Sequence, residues 1–253
     1  HQEKSSEVIL LVLDESLHRI PWESFSFLSE TIVCRLPSLP FAVAPLLSKE
    51  GKIPTINPEL TSYVLDPEAN LKATRTTLQP IFELVQSRHL WNWDGVVGEM
   101  PTESFIKNAL AKSDSLLLYC GHGGGYKCFA RSQIESLQTC ESTIMLMGCS
   151  SARLNANENK LECTGSFSSF YEPDGIVTSY LIAGAPCVVG NLWDVTDRDI
   201  DRFFVEVLDR FLGDGSRERS SLSECVSKSR SACKMRFIVG CAPVCYGVPV
   251  HIR

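Results

Sequence analysis

The sequence contains no hydrophobic stretch long enough to cross a lipid bilayer. Its uninterrupted apolar runs, such as Val8–Leu13, fall far short of the ~20 residues that a membrane-spanning helix needs. An excess of positive charge is also missing, since 24 Lys and Arg face 30 Asp and Glu and the net charge is −6. We therefore expect neither membrane association nor direct nucleic-acid binding. Because no signal peptide is visible and the chain begins at His1, we expect a fragment of a longer protein.

Three familiar site signatures are missing as well. No Gly-x-Ser-x-Gly elbow of a serine esterase occurs anywhere in the chain. The glycine-rich run Gly121–Gly125 is followed by Tyr126, where a dinucleotide-binding loop needs its third glycine. Four residues are of types that bind zinc, but their spacing fits no compact zinc module: Cys120, His122, Cys128 and Cys140. We therefore expect no cofactor and no metal.

Cysteine, by contrast, is abundant, with 11 residues in 253. The number is odd, the spacing is irregular, and most of these residues lie inside apolar stretches, as buried reduced thiols do. No secretory signal accompanies them. We therefore expect free thiols in a reducing compartment, the cytoplasm or the nucleus.

Apolar runs alternate with helical stretches along the chain. The runs that predict buried strands are Val8–Leu13, Ser62–Leu65, Ser115–Cys120, Thr143–Cys149, Pro186–Leu192 and Gly247–Ile252. The predicted helices are Leu39–Ser48, Ala73–Ser87, Thr102–Ala111, Gly175–Ala183, Asp197–Leu212 and Ser220–Met235. This alternation predicts an α/β fold, in which a mostly parallel sheet carries helices on both faces. We expect one domain over residues 1–253, with residues 155–174 as a polar surface loop.

Two of the predicted strands end in residues that can do chemistry together. The strand over 115–120 leads to His122, and the strand that begins at Thr143 leads to Cys149. The carboxyl ends of neighbouring parallel strands meet in one crevice, so we expect both side chains to lie there. An imidazole beside a thiol promotes the thiolate and can later protonate a leaving amine. The pattern therefore favours a cysteine hydrolase, with Cys149 as nucleophile and His122 as general base and acid.

The glycine next to the histidine indicates how such a site would stabilise negative charge. Gly123 has no Cβ, so its N–H can approach a substrate carbonyl closely. With the N–H of Cys149 it would form an oxyanion hole, in which each donor is worth roughly 3–4 kcal/mol. Spacing alone leaves a plainer interpretation open, in which Cys149 is one more buried thiol and His122 a satisfied loop histidine.

An acidic residue follows the next predicted strand at the same edge of the sheet. A carboxylate beside a nucleophile suits recognition of a guanidinium group, so we predict that Asp194 binds an arginine side chain. The plainer alternative is a solvated loop acid. Asp197, Asp199 and Asp201 lie in the first turns of the following helix, where the helix dipole favours acids, and we interpret them as structural.

Eight segments of the chain match the pattern of one known family: Ile20–Ser24, Arg35–Ser38, Tyr63–Pro67, Gly95–Glu99, Tyr119–Gly125, Met147–Ala152, Gly190–Phe203 and Ala242–Val250. Together they resemble the catalytic domain of separase, a caspase-like cysteine protease that opens cohesin at anaphase. The most specific is Gly190–Phe203, because other caspase-like domains are not expected to carry its Trp-Asp-Val-Thr-Asp run. The chain departs from the family pattern in the length of 155–174 and in Cys120 and Cys128. Within that loop, Glu172 and Asp174 are interpreted as solvated acids.

The resemblance implies a caspase-like three-layer sandwich and an arginine-directed cysteine endopeptidase. It gives Cys149 the role of nucleophile and His122 that of general base and acid. It also implies that Gly123 and Cys149 supply the oxyanion N–H groups and that Asp194 holds the arginine before the cut bond. The implied substrate is the kleisin subunit of cohesin, and the implied partner is securin, which both inhibits and chaperones the enzyme. We expect it in the cytoplasm and nucleus, acting on chromosomes and the spindle.

Two alternatives remain beside this interpretation. The chain could be a non-catalytic, caspase-like interaction module, because the presence of His122 and Cys149 does not by itself assemble a site. It could also be a caspase-like protease of another specificity. A map of cleavage positions in a proteome digest separates the three, since it shows no cuts, cuts after arginine, or cuts elsewhere.

Overall fold

A computed structural model describes residues 7–28, 31–41, 53–154, 174–213 and 220–253. In these residues, eight strands form a central sheet in the order β1-β2-β9-β8-β7-β6-β4-β5, and two short strands, β3 and β10, form a separate pair. The strands are β1 Val8–Val12, β2 Ile32–Leu36, β3 Thr55–Ile56, β4 Thr61–Leu65, β5 Asp94–Val97, β6 Leu116–Cys120, β7 Thr143–Leu146, β8 Cys187–Asn191, β9 Pro243–Gly247 and β10 His251–Ile252.

The central sheet is mostly parallel, as the alternation of strands and helices predicts. Every neighbouring pair runs parallel except β8 and β9, which pair antiparallel. The strands β5, β4, β6, β7 and β8 therefore share one direction. Their carboxyl ends lie at one edge of the sheet, and this is the edge at which ligands of open α/β sheets bind.

Six helices accompany the sheet in the described residues. They are α1 Lys72–His89, α2 Glu103–Ala111, α3 Arg131–Glu135, α4 Ile176–Ile182, α5 Asp197–Leu212 and α6 Leu222–Ser229. Thr102 caps α2, because its hydroxyl accepts the N–H of Phe105 at 3.1 Å. The strongest amphipathic pattern belongs to α5, which buries Phe203, Phe204 and Val207 on one face. None of the described helices is both long enough and apolar enough to span a membrane.

Two hydrophobic cores lie on the two faces of the sheet, so the architecture has three layers. Consecutive strand residues point to opposite faces: in β6, Leu118 joins one core and Tyr119 the other. The first core receives α1, α5 and α6, and the second receives α2, α3 and α4. Each large apolar side chain buried in this way stabilises the fold by roughly 1.5–3 kcal/mol.

The Pro-Trp-Glu segment near the start of the chain holds a buried arginine of the sheet. Arg35 of β2 is completely buried, and its guanidinium donates to both carboxylate oxygens of Glu23 at 2.6 and 2.7 Å. It also donates to the carbonyl oxygens of His18 and Ile20, each at 2.6 Å. Burial alone would raise the pKa of Glu23, but the hydrogen bonds and charge of Arg35 lower it overall. A buried charge pair this fully satisfied fixes where the segment docks.

Several element predictions need correction. The strands β2, β3, β5 and β9 and the short helix α3 were not predicted from the sequence. The last strand was expected over Gly247–Ile252, but Gly247 ends β9, and only His251 and Ile252 form β10. The helix expected over Ser220–Met235 ends at Ser229 and continues as a single 3₁₀ turn, Arg230–Ala232. Most of the helix expected over 39–48 and of the loop over 155–174 lies outside the described residues.

Candidate active site

Two loops meet at the carboxyl-terminal edge of the sheet, one after β6 and one after β7. The register of β6 against β7 continues past the strand ends, since Met147 N–H donates to the carbonyl of Tyr119 at 2.9 Å. Beyond it, a Cβ placed on Gly148 would lie 2.1 Å from the carbonyl oxygen of Gly123 and 2.5 Å from that of Gly121. The two loops therefore touch backbone to backbone, which only glycine at 148 allows.

The contact of these loops brings His122 and Cys149 to the lining of one cavity, which opens to solvent. The cavity is lined by Leu71, Thr74, Cys120, Gly121, His122, Met147, Gly148, Cys149, Val195, Asp197, Ile200 and Asp201. The juxtaposition predicted from the two strand ends is thus present in the fold. The catalytic roles of the two side chains remain predictions.

The Cys149 thiol is half-buried and lies against the loop after β8. Its S–H donates to the carbonyl of Val195 at 3.2 Å, and the N–H of Val195 donates to its sulfur at 3.4 Å. An N–H directed at sulfur stabilises a thiolate, whereas a carbonyl oxygen can accept a hydrogen bond only from the protonated thiol. Cys120 lines the same cavity, but burial raises the pKa of its thiol well above the ordinary value, so it stays neutral.

A hydrogen-bond network fixes the turn that carries Cys149. The hydroxyl of Ser151 donates to the carbonyl of Leu146 at 2.7 Å and accepts the N–H of Asn191 at 3.0 Å. The side chain of Asn191 donates to the carbonyl of Gly148 at 3.0 Å. Ser150 adopts a left-handed backbone with φ of 51°, a strained conformation for a residue that is not glycine. The end of β8 thus holds the turn that carries Cys149 in a conformation that it would not adopt alone.

A side chain of the preceding strand, β6, holds the loop that carries His122. The hydroxyl of Tyr119 donates to the carbonyl of His122 at 2.9 Å, and burial raises the pKa of Tyr119, so the hydroxyl stays protonated. The imidazole itself is exposed, and its Nε2 lies 2.9 Å from Oδ1 of Asn70. Gly123 has φ of 56°, and a Cβ on it would meet nothing within 4 Å. The side-chain position of Gly123 therefore faces open space, while its backbone abuts Gly148. The oxyanion role of Gly123 remains a prediction.

The four acids of Asp194–Asp201 lie at different places around the cavity. Asp194 is exposed and accepts the hydroxyl of Ser150 at 2.6 Å, and it is not among the residues that line the cavity. Asp199 is structural as expected, since its carboxylate accepts the N–H of Met235 at 2.8 Å. Asp197 and Asp201 line the cavity instead. The arginine-binding role of Asp194 remains a prediction.

Asp201 was missed as a site residue and is the most perturbed carboxylate of the cavity. Its side chain is buried, and burial raises its pKa to about 6, although a hydrogen bond from Thr74 opposes the shift. No Lys or Arg in the described part of the chain forms an ion pair with Asp201 or Asp197. The two residues are four positions apart on α5 and so share one helix face, which is the signal that could have singled them out.

The remaining candidates from the sequence do not gather at this site. Among the described residues, no group of three or more His, Cys, Asp or Glu side chains comes close enough to hold a metal ion. Of the four zinc candidates, only Cys120 and His122 line the cavity. Asp174 forms an ion pair with Arg131, and Glu172 lies outside the described residues. All ten cysteines in the described ranges are free, and seven of these are buried.

We predict that Gly148→Ala separates the two loops. Because the added methyl would overlap the backbone of Gly123, we expect the free energy of unfolding to fall by about 1–3 kcal/mol. The displaced thiol should also lose reactivity, since a shift of about 1 Å can cost roughly 10²-fold in rate. Denaturant unfolding and the rate of alkylation of Cys149 measure both effects. A variant that unfolds and reacts like the parent would contradict the close contact.

The chain matches known proteins along most of its length. The family model described as "Separin, protease domain" matches residues 1–200. Separin of Mus musculus is 36% identical over 253 residues, which cover 98% of this chain and 11% of the mouse protein. The Saccharomyces cerevisiae separase in a crystal structure of the separase–securin complex superposes with a TM-score of 0.82 at 32% identity, covering 96% of this chain and 16% of that one. The chain therefore spans only about a tenth to a sixth of these relatives.

A more distant structural match identifies the fold. The Arg-specific cysteine proteinase gingipain R superposes with a TM-score of 0.66 at 11% identity, covering 98% of this chain and 65% of that one. At this identity the match concerns the fold alone. Together with the separase match, it confirms the caspase-like α/β sandwich expected from the sequence.

Proposed function

Because this chain belongs to the separin protease-domain family, we propose that it is the catalytic part of a cysteine endopeptidase that cleaves the kleisin subunit of cohesin after an arginine. The observation that carries this proposal is the cavity shared by Cys149 and His122, which two abutting strand-end loops line together. The other cysteine in that cavity, Cys120, is buried and neutral, which leaves Cys149 as the nucleophile.

The proposed reaction is acyl transfer to sulfur followed by hydrolysis. His122 takes the proton of the Cys149 thiol, and the sulfur attacks the carbonyl carbon of the scissile peptide bond. The oxygen gains negative charge, which the N–H groups of Gly123 and Cys149 stabilise. The C–N bond then breaks as His122 returns the proton to the leaving amine. Water, deprotonated by His122, attacks the thioester, releases the new carboxyl group and restores the thiol.

The specificity for arginine rests on carboxylates at the cavity. In the described residues Asp197 and Asp201 have no basic side chain to pair with, so a guanidinium entering the cavity would supply the missing positive charge. Asp194 lies outside the cavity lining, beside the nucleophile turn, and is a second candidate for the same contact. The preference for Arg over Lys follows from the planar fork of the guanidinium, which can bind two carboxylate oxygens at once.

The proposal extends to partners and location. The similar yeast structure is of a separase–securin complex, which supports securin as a partner of the protein that carries this chain. We propose that securin acts there as inhibitor and chaperone. An inhibitor of this kind would fill the cleft as a pseudosubstrate. We propose action on chromosomes and the spindle, with the protein in cytoplasm and nucleus, and without direct nucleic-acid or membrane contacts by this domain.

Kleisin-derived peptides test the proposed function directly. Protein that contains the whole chain should cleave a peptide with arginine before the scissile bond. It should cleave the same peptide with alanine there at least about 10²-fold more slowly, because a charge-paired contact is lost. A proteome digest, analysed by mass spectrometry, extends the test to all sites. Cuts at other residues would indicate a caspase-like protease of different specificity, and no cuts at all would indicate a non-catalytic interaction module.

A further inference from the structure

The hydrogen bond between His122 and Asn70 gives the site a third member. Nε2 of His122 lies 2.9 Å from Oδ1 of Asn70, 52 positions earlier in the chain. With Oδ1 as acceptor, Nε2 must carry the ring proton, which leaves Nδ1 unprotonated and able to accept a proton from sulfur. We propose that Asn70 is a positioning residue, which selects the tautomer and ring orientation of His122. This inference rests on the proposed peptidase function.

Hydrogen bonds to a buried carboxylate fix the backbone of the segment that carries Asn70. It follows β4 and turns on Asp66, which is fully buried and whose Oδ1 accepts the N–H groups of Asn70 at 2.9 Å and Leu71 at 2.8 Å. Asp66 and Ala69 both adopt left-handed backbones, with φ of 52° and 55°. Such strain persists only where the surrounding contacts determine the conformation, and it concentrates at functional sites.

The Asn70 segment is also tied to the loop of His122. The N–H of Asp66 donates to the carbonyl of Cys120 at 2.8 Å, immediately before that loop begins. A Cβ on Gly121 would lie 3.0 Å from Pro67, so the two segments pack together there. Glu68 and Lys127 add an ion pair at 2.5 Å, although Lys127 is largely exposed and the pair contributes little energy. These contacts place Asn70 relative to the imidazole without help from substrate.

A neutral amide at position 70 affects the imidazole of His122 differently from a carboxylate. An amide oxygen orients the ring and fixes its proton but adds no charge, whereas a carboxylate would also stabilise the imidazolium. Unrelated cysteine proteases likewise pair the catalytic histidine with asparagine, so this chemistry is sufficient for the role. The distinction makes the proposal testable, because amide and carboxylate should both orient the ring yet give different pH profiles.

Kinetics of Asn70 variants test the proposal. We expect Asn70→Ala to lower kcat by about 10- to 100-fold with KM changed less than about twofold, because the ring loses its orientation but the substrate contacts stay. Asn70→Asp should restore most of kcat and shift the limbs of the pH–rate profile to higher pH. Asn57→Ala is the matched control: Asn57 also makes a side-chain hydrogen bond, to the N–H of Glu59, but at the opposite end of β4. It should leave kcat and the pH profile unchanged.

A readout without peptide substrate separates this inference from the proposed function. The rate at which iodoacetamide alkylates Cys149, followed by mass spectrometry over a pH range of roughly 5 to 9, reports the thiolate directly. Asn70→Ala should shift this profile even if no peptidase activity is found. An alkylation profile and a kcat equal to those of the parent would overturn the positioning role. So would equal losses in Asn70→Ala and Asn70→Asp with no shift of the profile, since these indicate a purely structural contact.

Discussion

Replacing Cys149 by serine should lower the rate of peptide cleavage by at least about 10³-fold while leaving thermal unfolding unchanged. Serine preserves the size of the side chain, but its hydroxyl is a far weaker acid than a thiol, so His122 cannot generate a useful nucleophile from it. The half-buried position against Val195 accommodates an oxygen without strain. Initial rates on an arginine-containing kleisin peptide, together with a melting curve, measure both parts of the prediction.

A second cysteine provides the control for this substitution. Cys241 is half-buried like Cys149, and its thiol donates to the carbonyl of Arg236 at 3.4 Å, but it does not line the cavity. Cys241→Ser should retain the parental cleavage rate and the parental melting temperature. If Cys149→Ser cleaved as fast as the parent, another group would be the nucleophile and the assignment would be wrong.

Substituting Asp201 by asparagine should separate substrate recognition from thiol chemistry. The change removes the buried carboxylate of the cavity, so we expect kcat/KM for arginine substrates to fall by about 10²-fold or more. Alkylation of Cys149 by a small reagent should change less than about twofold, because that reaction needs no guanidinium site. Equal losses in both assays would indicate a damaged fold rather than lost specificity.

Substitutions of two other acids test which carboxylate binds the arginine side chain of the substrate. Asp194→Asn tests the residue predicted from the sequence, and a loss confined to Asp194→Asn would return the role to it. Asp209→Asn is the matched control, since Asp209 is an exposed acid on the same helix, α5. It should behave like the parent in both assays.

The same Asp201 substitution should raise stability in a pH-dependent way. The pKa of Asp201 is about 6 in the folded protein against an ordinary value of 3.8, because burial disfavours the carboxylate. The folded state therefore holds its proton longer, and the parent loses stability as pH rises from about 4 to above 6. Asparagine does not ionise, so Asp201→Asn does not lose this stability. Its free energy of unfolding at pH 7 should therefore exceed that of the parent by about 1–3 kcal/mol. The difference should vanish near pH 3, as urea unfolding at several pH values can measure.

Elements that form their own hydrophobic pattern could be predicted from the sequence. The strands β4, β6, β7 and β8 are short apolar runs, and α5 repeats its apolar residues at helical spacing, so local pattern and fold agree. β2 was not predicted because Arg35 interrupts its apolar run. This arginine is tolerated in the core because Glu23, twelve positions away, pairs with its charge and two backbone carbonyls accept its remaining hydrogen bonds. β5 was not predicted because it is a short, half-exposed edge strand with little hydrophobic pattern.

Some residues of the candidate site could be predicted from the sequence, and others could not. His122 and Cys149 follow strands whose parallel pairing brings their ends together, so strand order alone is enough to predict that they share a crevice. Asp201 differs, because a helical acid reaches the cavity only if the helix docks with that face towards it. From the sequence, Asp197 and Asp201 are interpreted only as structural acids. Their spacing places both on one face of α5, but the packing of α5 against the sheet decides which way that face points.

By itself, then, the sequence determined the alternation of strands and helices, the mostly parallel sheet and the two residues at neighbouring strand ends. These follow from apolar periodicity and from the rule that parallel strands end together, both of which act over short stretches of chain. Tertiary structure alone decided that Asn70 supports the imidazole, that Asp201 lines the cavity and that Gly148 joins the two loops. Each of these depends on atoms brought together from distant positions by core packing, and no local pattern records such a distance.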